Sequence, residues 1–181
     1  MLKKLSDAPK KSLLDSLVIR ACRPDDADGL CALMNLPGVR QGTLRLPFHR
    51  PEQIRTNLNT DAPDDLYLVA SIDGHLIGNA ALNRFKGRRR HAASLGMMVH
   101  DDYVGRGVGK AMATALIQAA DQWLDIRRLE LTVFADNKPA IALYEKLGFQ
   151  AEGTLKAFAF RNGAYVDALS MARLRTPPHP V

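Results

Sequence analysis

The pattern of apolar and polar positions predicts a chain of short strands and helices. The clearest strands are Leu66–Ile72 and His75–Leu82, which flank Asp73-Gly74, a dipeptide typical of a tight hairpin turn. The clearest helix spans Gly107 to Leu124, because apolar residues recur there at steps of three and four and so share one face. The residues assigned to that face are Val108, Met112, Leu116, Ala119 and Trp123.

Weaker patterns of the same kind predict the other elements. Strands are expected at Leu17–Cys22, Ala92–Val99, Arg128–Phe134, Phe149–Phe160 and Tyr165–Leu174. Helices are expected from Pro24 to Met34, closed by Pro37 and Gly38, over Pro51–Asn59, and after Asn137, which can cap a helix that Gly148 ends. Residues 39–51 are expected to be irregular. This order of hairpins and crossover helices predicts a mixed α/β fold.

Length and composition fit one domain with two short extensions. The chain has 181 residues, of which 46% are hydrophobic, and this is enough for one core. We expect a flexible basic segment at 1–16, the domain at 17–175 and a Pro-rich tail at 176–181. Because 25 Lys and Arg outnumber 19 Asp and Glu, the net charge is +6. This charge favours an anionic partner such as a nucleic acid, a membrane or a phosphorylated cofactor.

Several classes of protein are excluded by the cysteines and by the hydropathy of the chain. Cys22 and Cys31 form no CxxC pair and have no neighbouring His, so neither a disulfide scaffold nor a zinc ribbon is expected. No apolar run reaches the roughly 18–20 residues of a membrane span. Residues 1–16 lack the apolar stretch of a signal peptide. We therefore expect a cytoplasmic protein with no membrane partner.

The strongest positive cluster, Lys86 with Arg88–His91, has two interpretations. Such a run usually marks a solvated hairpin tip. It could instead steer an anionic cofactor or substrate, or contact RNA, but no RNA-binding aromatic motif or helix-turn-helix signature accompanies it. We therefore expect no nucleic-acid partner.

A glycine-rich turn lies between a predicted strand and the long helix, with glycines at Gly105, Gly107 and Gly109. A phosphate at such a turn meets free backbone N–H groups and the positive end of the helix dipole, and glycine lets the backbone come close. Arg106 and Lys110 add cationic side chains. The spacing is neither a nucleoside-triphosphate loop nor a complete dinucleotide fingerprint. The turn therefore indicates either a phosphate site or a turn that merely begins a helix.

A second motif follows one strand later, in Asn137–Phe149 (NKPAIALYEKLGF). Together with the glycine turn, it resembles the GNAT superfamily of acyl-CoA N-acyltransferases. The turn is similar to the family's Gln/Arg-x-x-Gly-x-Gly/Ala signature at Gly107 and Gly109. The matching residues of the second motif are Asn137, Ala140, Tyr144, Gly148 and Phe149. The resemblance covers nearly the whole chain, from about residue 17 to residue 174.

The resemblance implies a seven-stranded, mostly antiparallel sheet flanked by about four helices, with a V-shaped slot where a bulge splays the fourth strand from the fifth. It implies an N-acetyltransferase that moves the acetyl group of acetyl-CoA to a primary amine by direct attack, without a metal. The residues that it assigns to the cofactor are Met97, Met98, Val99, Gly105, Arg106, Gly107, Val108, Gly109, Lys110, Asn137 and Tyr144. Tyr144 would also be the general acid that protonates the leaving thiolate.

Two positions depart from the family pattern. Val104 stands where the signature begins with Gln or Arg, so phosphate contacts there fall to the backbone, Arg106 and Lys110. Thr132 stands where some relatives carry a Glu that acts as the general base. Glu130, two residues earlier on the same strand face, is a possible base, but a solvated or structural role suits this position as well, so the resemblance assigns no base.

The expected acceptor is a small amino acid, or a short peptide, with an apolar side chain. Residues 39–51 lie where the family places a variable substrate loop. Within it, Arg45 and Arg50 could meet a carboxylate, and Leu46 and Phe48 could form an apolar wall, although each could equally be a solvated residue or a core anchor. The loop and the later RNGAYVD hairpin resemble the subgroup that acetylates free amino acids, and the positive net charge disfavours polycations.

Two other functions stay open at this point. The chain could acetylate a protein N-terminus or a lysine, which calls for an open acceptor groove. It could also be a non-catalytic module that binds acyl-CoA and releases no CoA, although Tyr144 argues against this. A homodimer stays open as well, because nothing in the sequence fixes the oligomeric state.

Overall fold

The computed structural model describes residues 13–58 and 65–175. These residues contain seven strands and five α-helices. The strands are β1 (Val18–Ala21), β2 (Leu66–Ile72), β3 (His75–Arg84), β4 (Ala92–Val99), β5 (Arg128–Phe134), β6 (Gln150–Arg161) and β7 (Ala164–Leu174). The helices are α1 (Ala27–Met34), α2 (Pro37–Gly42), α3 (Pro51–Leu58), α4 (Val108–Gln122) and α5 (Lys138–Lys146). All seven predicted strands are confirmed. Within the described residues, no helix is long and apolar enough to cross a membrane.

The strands form one mixed sheet in the order β1-β2-β3-β4-β5-β7-β6. Neighbouring strands are antiparallel except for β4 and β5, which are parallel because α4 makes the crossover between them. The predicted α/β fold with a mostly antiparallel, seven-stranded sheet is thus confirmed.

The contact between β4 and β5 is short, and it opens the middle of the sheet. Only three residue pairs connect these strands, the last of them Ser94 with Glu130. Beyond that pair the two strands run on with no pairing between them. The bulge expected in Met97–Val99 is wrong, because β4 keeps a continuous register with β3 along residues 93–99. The gap begins where the parallel ladder between β4 and β5 stops.

Helices cover both faces of the sheet. α4 and α5 pack on one face, and α1, α2 and α3 pack on the other. α4 lies very close to β3 because Gly78 has no side chain, and a Cβ at that position would come within 2.7 Å of the Met112 methyl group. This close packing fixes the first turn of α4 beside the end of β4.

The prediction for residues 37–42 is corrected. The sequence pattern predicts that Pro37 and Gly38 end a helix and that the residues after them are irregular. Instead Pro37 is in the first turn of α2, a position that proline favours because its fixed φ suits a helix and its missing N–H would have no partner there.

The structure also corrects the predictions for Trp123, at the end of α4, and for Leu13–Ser16, near the N-terminus. Trp123 does not share the buried face of α4, because it lies just beyond the last helical residue and its side chain is 83% exposed. Leu13–Ser16, expected to be part of a flexible segment, form a 3-10 helix, and Leu13 packs against the core. Residues 1–12 of that segment and the tail at 176–181 lie outside the described residues.

Candidate active site

A cavity of about 1190 Å³ opens where β4 and β5 separate. Its walls come from the unpaired halves of these two strands, from the glycine turn before α4, from α5, and from α2 with the loop that follows it. β3 adds Asn79, Ala81 and Asn83 to the same space. One cavity therefore brings most of the predicted cofactor residues and part of the predicted acceptor loop together.

The backbone of β4 presents unpaired hydrogen-bonding groups to this cavity. His100 donates its N–H to Ile77 on β3, and successive residues of a strand point their backbone groups in opposite directions. The groups of Met98 therefore face β3, whereas those of Met97 and Val99 face the gap toward β5. Met97 and Val99 are thus placed to bond an extended ligand. Met98 is not, since its backbone is used by β3 and its side chain belongs to the core beneath α1 and α2.

The glycine turn forms the end of the cavity at the N-terminus of α4. Gly105, Gly107, Gly109 and Lys110 all line it. Gly107 is the cap residue of α4 and has a φ of 89°, a left-handed conformation that glycine adopts without a steric penalty. The turn therefore directs the first N–H groups of a 15-residue helix at whatever occupies this end.

Two neighbours in the same turn are not brought into the cavity. The Arg106 guanidinium lies 5.6 Å from the centre of the Tyr103 ring and does not line the cavity wall. The Val108 side chain is fully buried in the core, so only its backbone N–H is available to a ligand. Lys146, on α5, lines the cavity in addition to Lys110, although no sequence motif had singled it out.

Asn137 serves first as the cap of α5. Its Oδ1 accepts a hydrogen bond from the N–H of Ala140 at 3.3 Å, which satisfies one of the free donors in the first helical turn. Its amide nitrogen makes no hydrogen bond to a described residue and lies on the side of the cavity next to α2. The residue can thus hold the helix with one atom and a ligand with the other.

Tyr144 lies in the floor of the cavity with only 7% of its surface exposed. Its ring packs edge-on against Phe149, with ring centres 5.8 Å apart. Burial raises the pKa of Tyr144 to about 12, because the phenolate would lose its hydration there. The hydroxyl is therefore protonated at neutral pH and can give a proton to a strongly basic leaving group.

Glu130 does not line the cavity, which argues against its predicted role as the base. Its carboxylate accepts hydrogen bonds from both Arg89 and Arg128. Partial burial acts to raise the pKa of Glu130, but the two guanidinium groups outweigh it and hold that pKa below the usual range. A carboxylate so stabilised is a weak base, and it sits where β4 and β5 are still paired.

We expect Glu130→Gln to leave kcat within about twofold of the unmodified protein, whereas loss of a true general base typically costs about 10²-fold or more. The same change should lower the free energy of unfolding by about 1 kcal/mol, because two partly exposed ion pairs are lost. Steady-state kinetics and urea unfolding check the two values. A hundredfold fall in kcat with unchanged stability would restore Glu130 as the base.

The acceptor loop is only partly in the cavity. Thr43, Leu44 and Arg45 line it, whereas Leu46, Phe48 and Arg50 do not. Phe48 and Arg50 line a separate cavity on the other side of α2. Of the four predicted substrate residues, the structure therefore brings Arg45 alone to the site.

The acceptor end also contains polar residues that sequence reasoning missed. Asp101 is the single carboxylate among the described lining residues, and it accepts a hydrogen bond from the N–H of Gly38 at 2.9 Å. Asn79 and Asn83 lie on one face of β3 and line the cavity. Two asparagines at even spacing within an apolar strand are a sequence signal for a polar site on that face. Across residues 13–58 and 65–175, no three His, Cys, Asp or Glu side chains cluster closely enough to hold a metal ion.

The tip of the β6–β7 hairpin contacts α2. Arg161 donates a hydrogen bond to the backbone oxygen of Gln41 at 2.9 Å, and Asn162 donates one to the Gln41 side chain at 2.8 Å. These two hydrogen bonds connect α2 to the hairpin.

The geometry can be compared with known proteins. Residues 38–149, which include both motifs and most of the cavity, match the model of the Acetyltransferase (GNAT) family. The L-amino acid N-acetyltransferase AaaT of Escherichia coli (strain K12) is 39% identical over 163 residues, which are 90% of this chain and all of that protein. The chain belongs to the GNAT family of acetyltransferases.

Solved GNAT structures have the same architecture. A GNAT acetyltransferase from Streptococcus pneumoniae superposes with a TM-score of 0.78 at 28% identity, covering 88% of this chain and 99% of the other. A spermidine N-acetyltransferase from Vibrio cholerae, solved in complex with CoA and spermine, gives a TM-score of 0.79 at 22% identity, covering 88% and 95%. The resemblance seen in the sequence is thus confirmed. As a GNAT acetyltransferase the protein is an acyltransferase enzyme, so the interpretation as a non-catalytic module is set aside.

Proposed function

We propose that this protein transfers the acetyl group of acetyl-CoA to the α-amino group of a small amino acid with an apolar side chain. The observation that carries the proposal is the single cavity that joins an anion-binding helix start at one end to Leu44 and Arg45 at the other. The 39% identical relative is named as an L-amino acid N-acetyltransferase, which supports the same acceptor class.

The cofactor end suits a long, flexible molecule with phosphates at one end and amides in its arm. Backbone N–H groups at Gly107 and Gly109, with Lys110, would hold the pyrophosphate. The unpaired backbone groups of Met97 and Val99 would bond the amides of the pantetheine arm as a neighbouring strand does. The arm would then lead the thioester along β4 toward Tyr144.

The transfer would be a direct attack. The amine nitrogen, in its neutral form, bonds to the thioester carbon, and a strand N–H stabilises the oxyanion that forms. The C–S bond then breaks and the thiolate takes a proton from the Tyr144 hydroxyl. The nitrogen loses its extra proton to solvent, and the Tyr144 phenolate regains a proton from solvent. Glu130 is remote from this path, so the acceptor enters as the free amine or loses its proton through water.

The acceptor end supplies one cation and a largely apolar wall. Arg45 can meet the α-carboxylate, and Leu44, Val39 and Phe134 can surround an apolar side chain. Asp101 can face the incoming ammonium group from the opposite side, since it is the carboxylate that lines the cavity. An amino acid carries these three features in one small molecule.

A CoA-release assay across acceptor classes tests the proposal. Phenylalanine and methionine are expected to turn over faster than spermidine, an aminoglycoside or a peptide with a free N-terminus, and mass spectrometry of the products should place the acetyl group on the α-nitrogen. Turnover of spermidine with none of any amino acid would contradict the acceptor assignment. Acetylated peptide as the main product would favour a protein acetyltransferase instead.

Arg45→Ala should raise KM for phenylalanine about two- to fivefold, because an exposed ion pair contributes up to about 1 kcal/mol. KM for phenylalaninamide, which has no carboxylate, should be unchanged. Arg88→Ala is the matched control, since Arg88 is exposed, lines neither cavity and should leave both KM values as they are. An equal effect of Arg45→Ala on the acid and the amide would show that Arg45 does not bind the carboxylate.

A further inference from the structure

A second cavity of about 710 Å³ lies on the far side of α2 from the candidate active site. Asn35, Arg40, Phe48, His49 and Arg50 line it, and none of them lines the first cavity. α2 is the wall between the two, with Gly38 and Gly42 facing one cavity and Arg40 the other.

Two polar groups at this cavity are buried without a partner. Nε of Arg40 and Nε2 of His49 are shielded from solvent, and neither makes a hydrogen bond. Buried polar atoms without partners are costly in a folded protein, so few of them persist unless a nearby group compensates for them. The remaining polar lining residue, Asn35, is already occupied, since its side chain bonds the backbone N–H and the backbone oxygen of His49.

The charge at the cavity is one-sided. Arg40 and Arg50 form no ion pair with any described residue, and no Asp or Glu lies among the described lining residues. Two guanidinium groups and an imidazole therefore face one space with no counter-charge. An oxyanion held by the guanidinium groups would offset the repulsion between the cations.

An aromatic ring stands at the rim of this cavity. Phe48 is 87% exposed and has a φ of 67°, a conformation that is strained for a bulky residue. The ring is thus held out of the core beside the two arginines. A flat apolar surface next to an anion site suits an organic acid better than an inorganic anion.

We propose that Arg40, His49 and Arg50 form a second binding site, separate from acetyl transfer, for an organic carboxylate that carries no ammonium group. A zwitterionic amino acid is disfavoured because its ammonium would face two guanidinium groups. An N-acylated amino acid fits, because acylation removes that positive charge and leaves the carboxylate and side chain intact. On the proposed function such a molecule is the product of the neighbouring cavity, although binding itself does not depend on the reaction.

A ligand in this site would affect the first cavity, because α2 and the loop after it contribute residues to both. The loop after α2 passes Leu44 and Arg45 at the candidate active site and then Phe48 and Arg50 at the second cavity. A carboxylate bound by Arg40 and Arg50 links the helix to the far end of that loop, and so restrains the segment that holds the acceptor.

Calorimetric titration with N-acetylphenylalanine tests the proposal, in the unmodified protein and in Arg40→Gln, Arg50→Gln and Arg45→Ala. Arg88→Gln is the charge-matched control, because it removes one exposed positive charge far from both cavities. The unmodified protein, Arg45→Ala and Arg88→Gln should bind with similar Kd, whereas Arg40→Gln and Arg50→Gln should bind at least about fivefold more weakly. Circular dichroism checks that each variant is folded. Because Arg50 is exposed, Arg50→Gln should fold, and it tests the proposal even if Arg40→Gln does not fold.

Four outcomes would overturn the proposal. They are no binding by the unmodified protein, the same Kd in every variant, a loss confined to Arg45→Ala, and tighter binding of inorganic phosphate or of N-acetylphenylalaninamide than of the acid. A parallel CoA-release assay on the same preparations keeps the two hypotheses apart. Absence of acetyl transfer with intact, Arg40-dependent binding would refute the proposed function and leave the second site standing.

Discussion

Replacing Tyr144 by Phe is expected to lower kcat about 10²–10⁴-fold, because the hydroxyl acts only when the thiolate leaves. Affinity for acetyl-CoA should stay within about twofold, since the ring and its contact with Phe149 are kept. Single-turnover kinetics with saturating acceptor measure the chemical step, and calorimetry measures binding. An unchanged chemical rate would reduce Tyr144 to a packing residue.

The pH profile separates an acid from a residue that only packs. The group must be protonated to act, and burial raises its pKa from 10 to about 12, so its contribution is complete below about pH 11 and is lost as the pH rises through 12. The rate of the unmodified protein should therefore rise with pH as the amine loses its proton and should not fall again before pH 10. A decline centred near pH 10 that Tyr144→Phe removes would contradict the raised pKa.

The second large effect is expected at the glycine turn, where Gly107→Val should weaken acetyl-CoA binding about 10- to 100-fold. The loss of one or two charge-assisted hydrogen bonds to phosphate is enough for this, at about 1.5–3 kcal/mol each. Valine is strained at a φ of 89°, and its Cβ would come 3.3 Å from the side chain of Leu14, so either that side chain or the first turn of α4 must shift.

Backbone strain alone could also weaken binding, and Gly74→Val controls for it. Gly74 has a φ of 79° in the β2–β3 turn, does not line the cavity, and has open space around the position of a Cβ. Both variants should lose stability to a similar degree in thermal unfolding, but only Gly107→Val should bind acetyl-CoA more weakly. Equal Kd values for the two variants would show that the turn does not hold the phosphates.

The conformations of the glycine turn and of the Asn137 cap could be predicted from the sequence because their signals are local. The glycines lie within five residues of one another, and the Asn137 cap acts on an N–H three residues away. Hairpins such as Asp73-Gly74 are likewise encoded by neighbouring residues. Where one short segment determines the conformation, the pattern and the structure agree.

Expectations that depended on distant contacts were less successful. The hydrogen bond between Arg89 and Glu130 joins residues 41 positions apart, and the pattern of apolar and polar positions does not predict it. Pro37 ends one helix pattern and equally begins another, and packing of Val39 in the core decides for the helix. Phe48 and Arg50 follow Arg45 closely in sequence but face another cavity, because α2 stands between the two spaces.

The brief ladder between β4 and β5 makes the sheet mechanically two units, one of β1–β4 and one of β5–β7, joined by three residue pairs and by the helices. An extended, amide-bearing ligand in the gap supplies the hydrogen bonds that the strands do not give each other. Such a ligand would therefore connect the two half-sheets. Binding should therefore raise both the stability and the cooperativity of unfolding. The ligated protein should unfold as one unit, whereas in the empty protein the two half-sheets can separate between β4 and β5 before the rest unfolds.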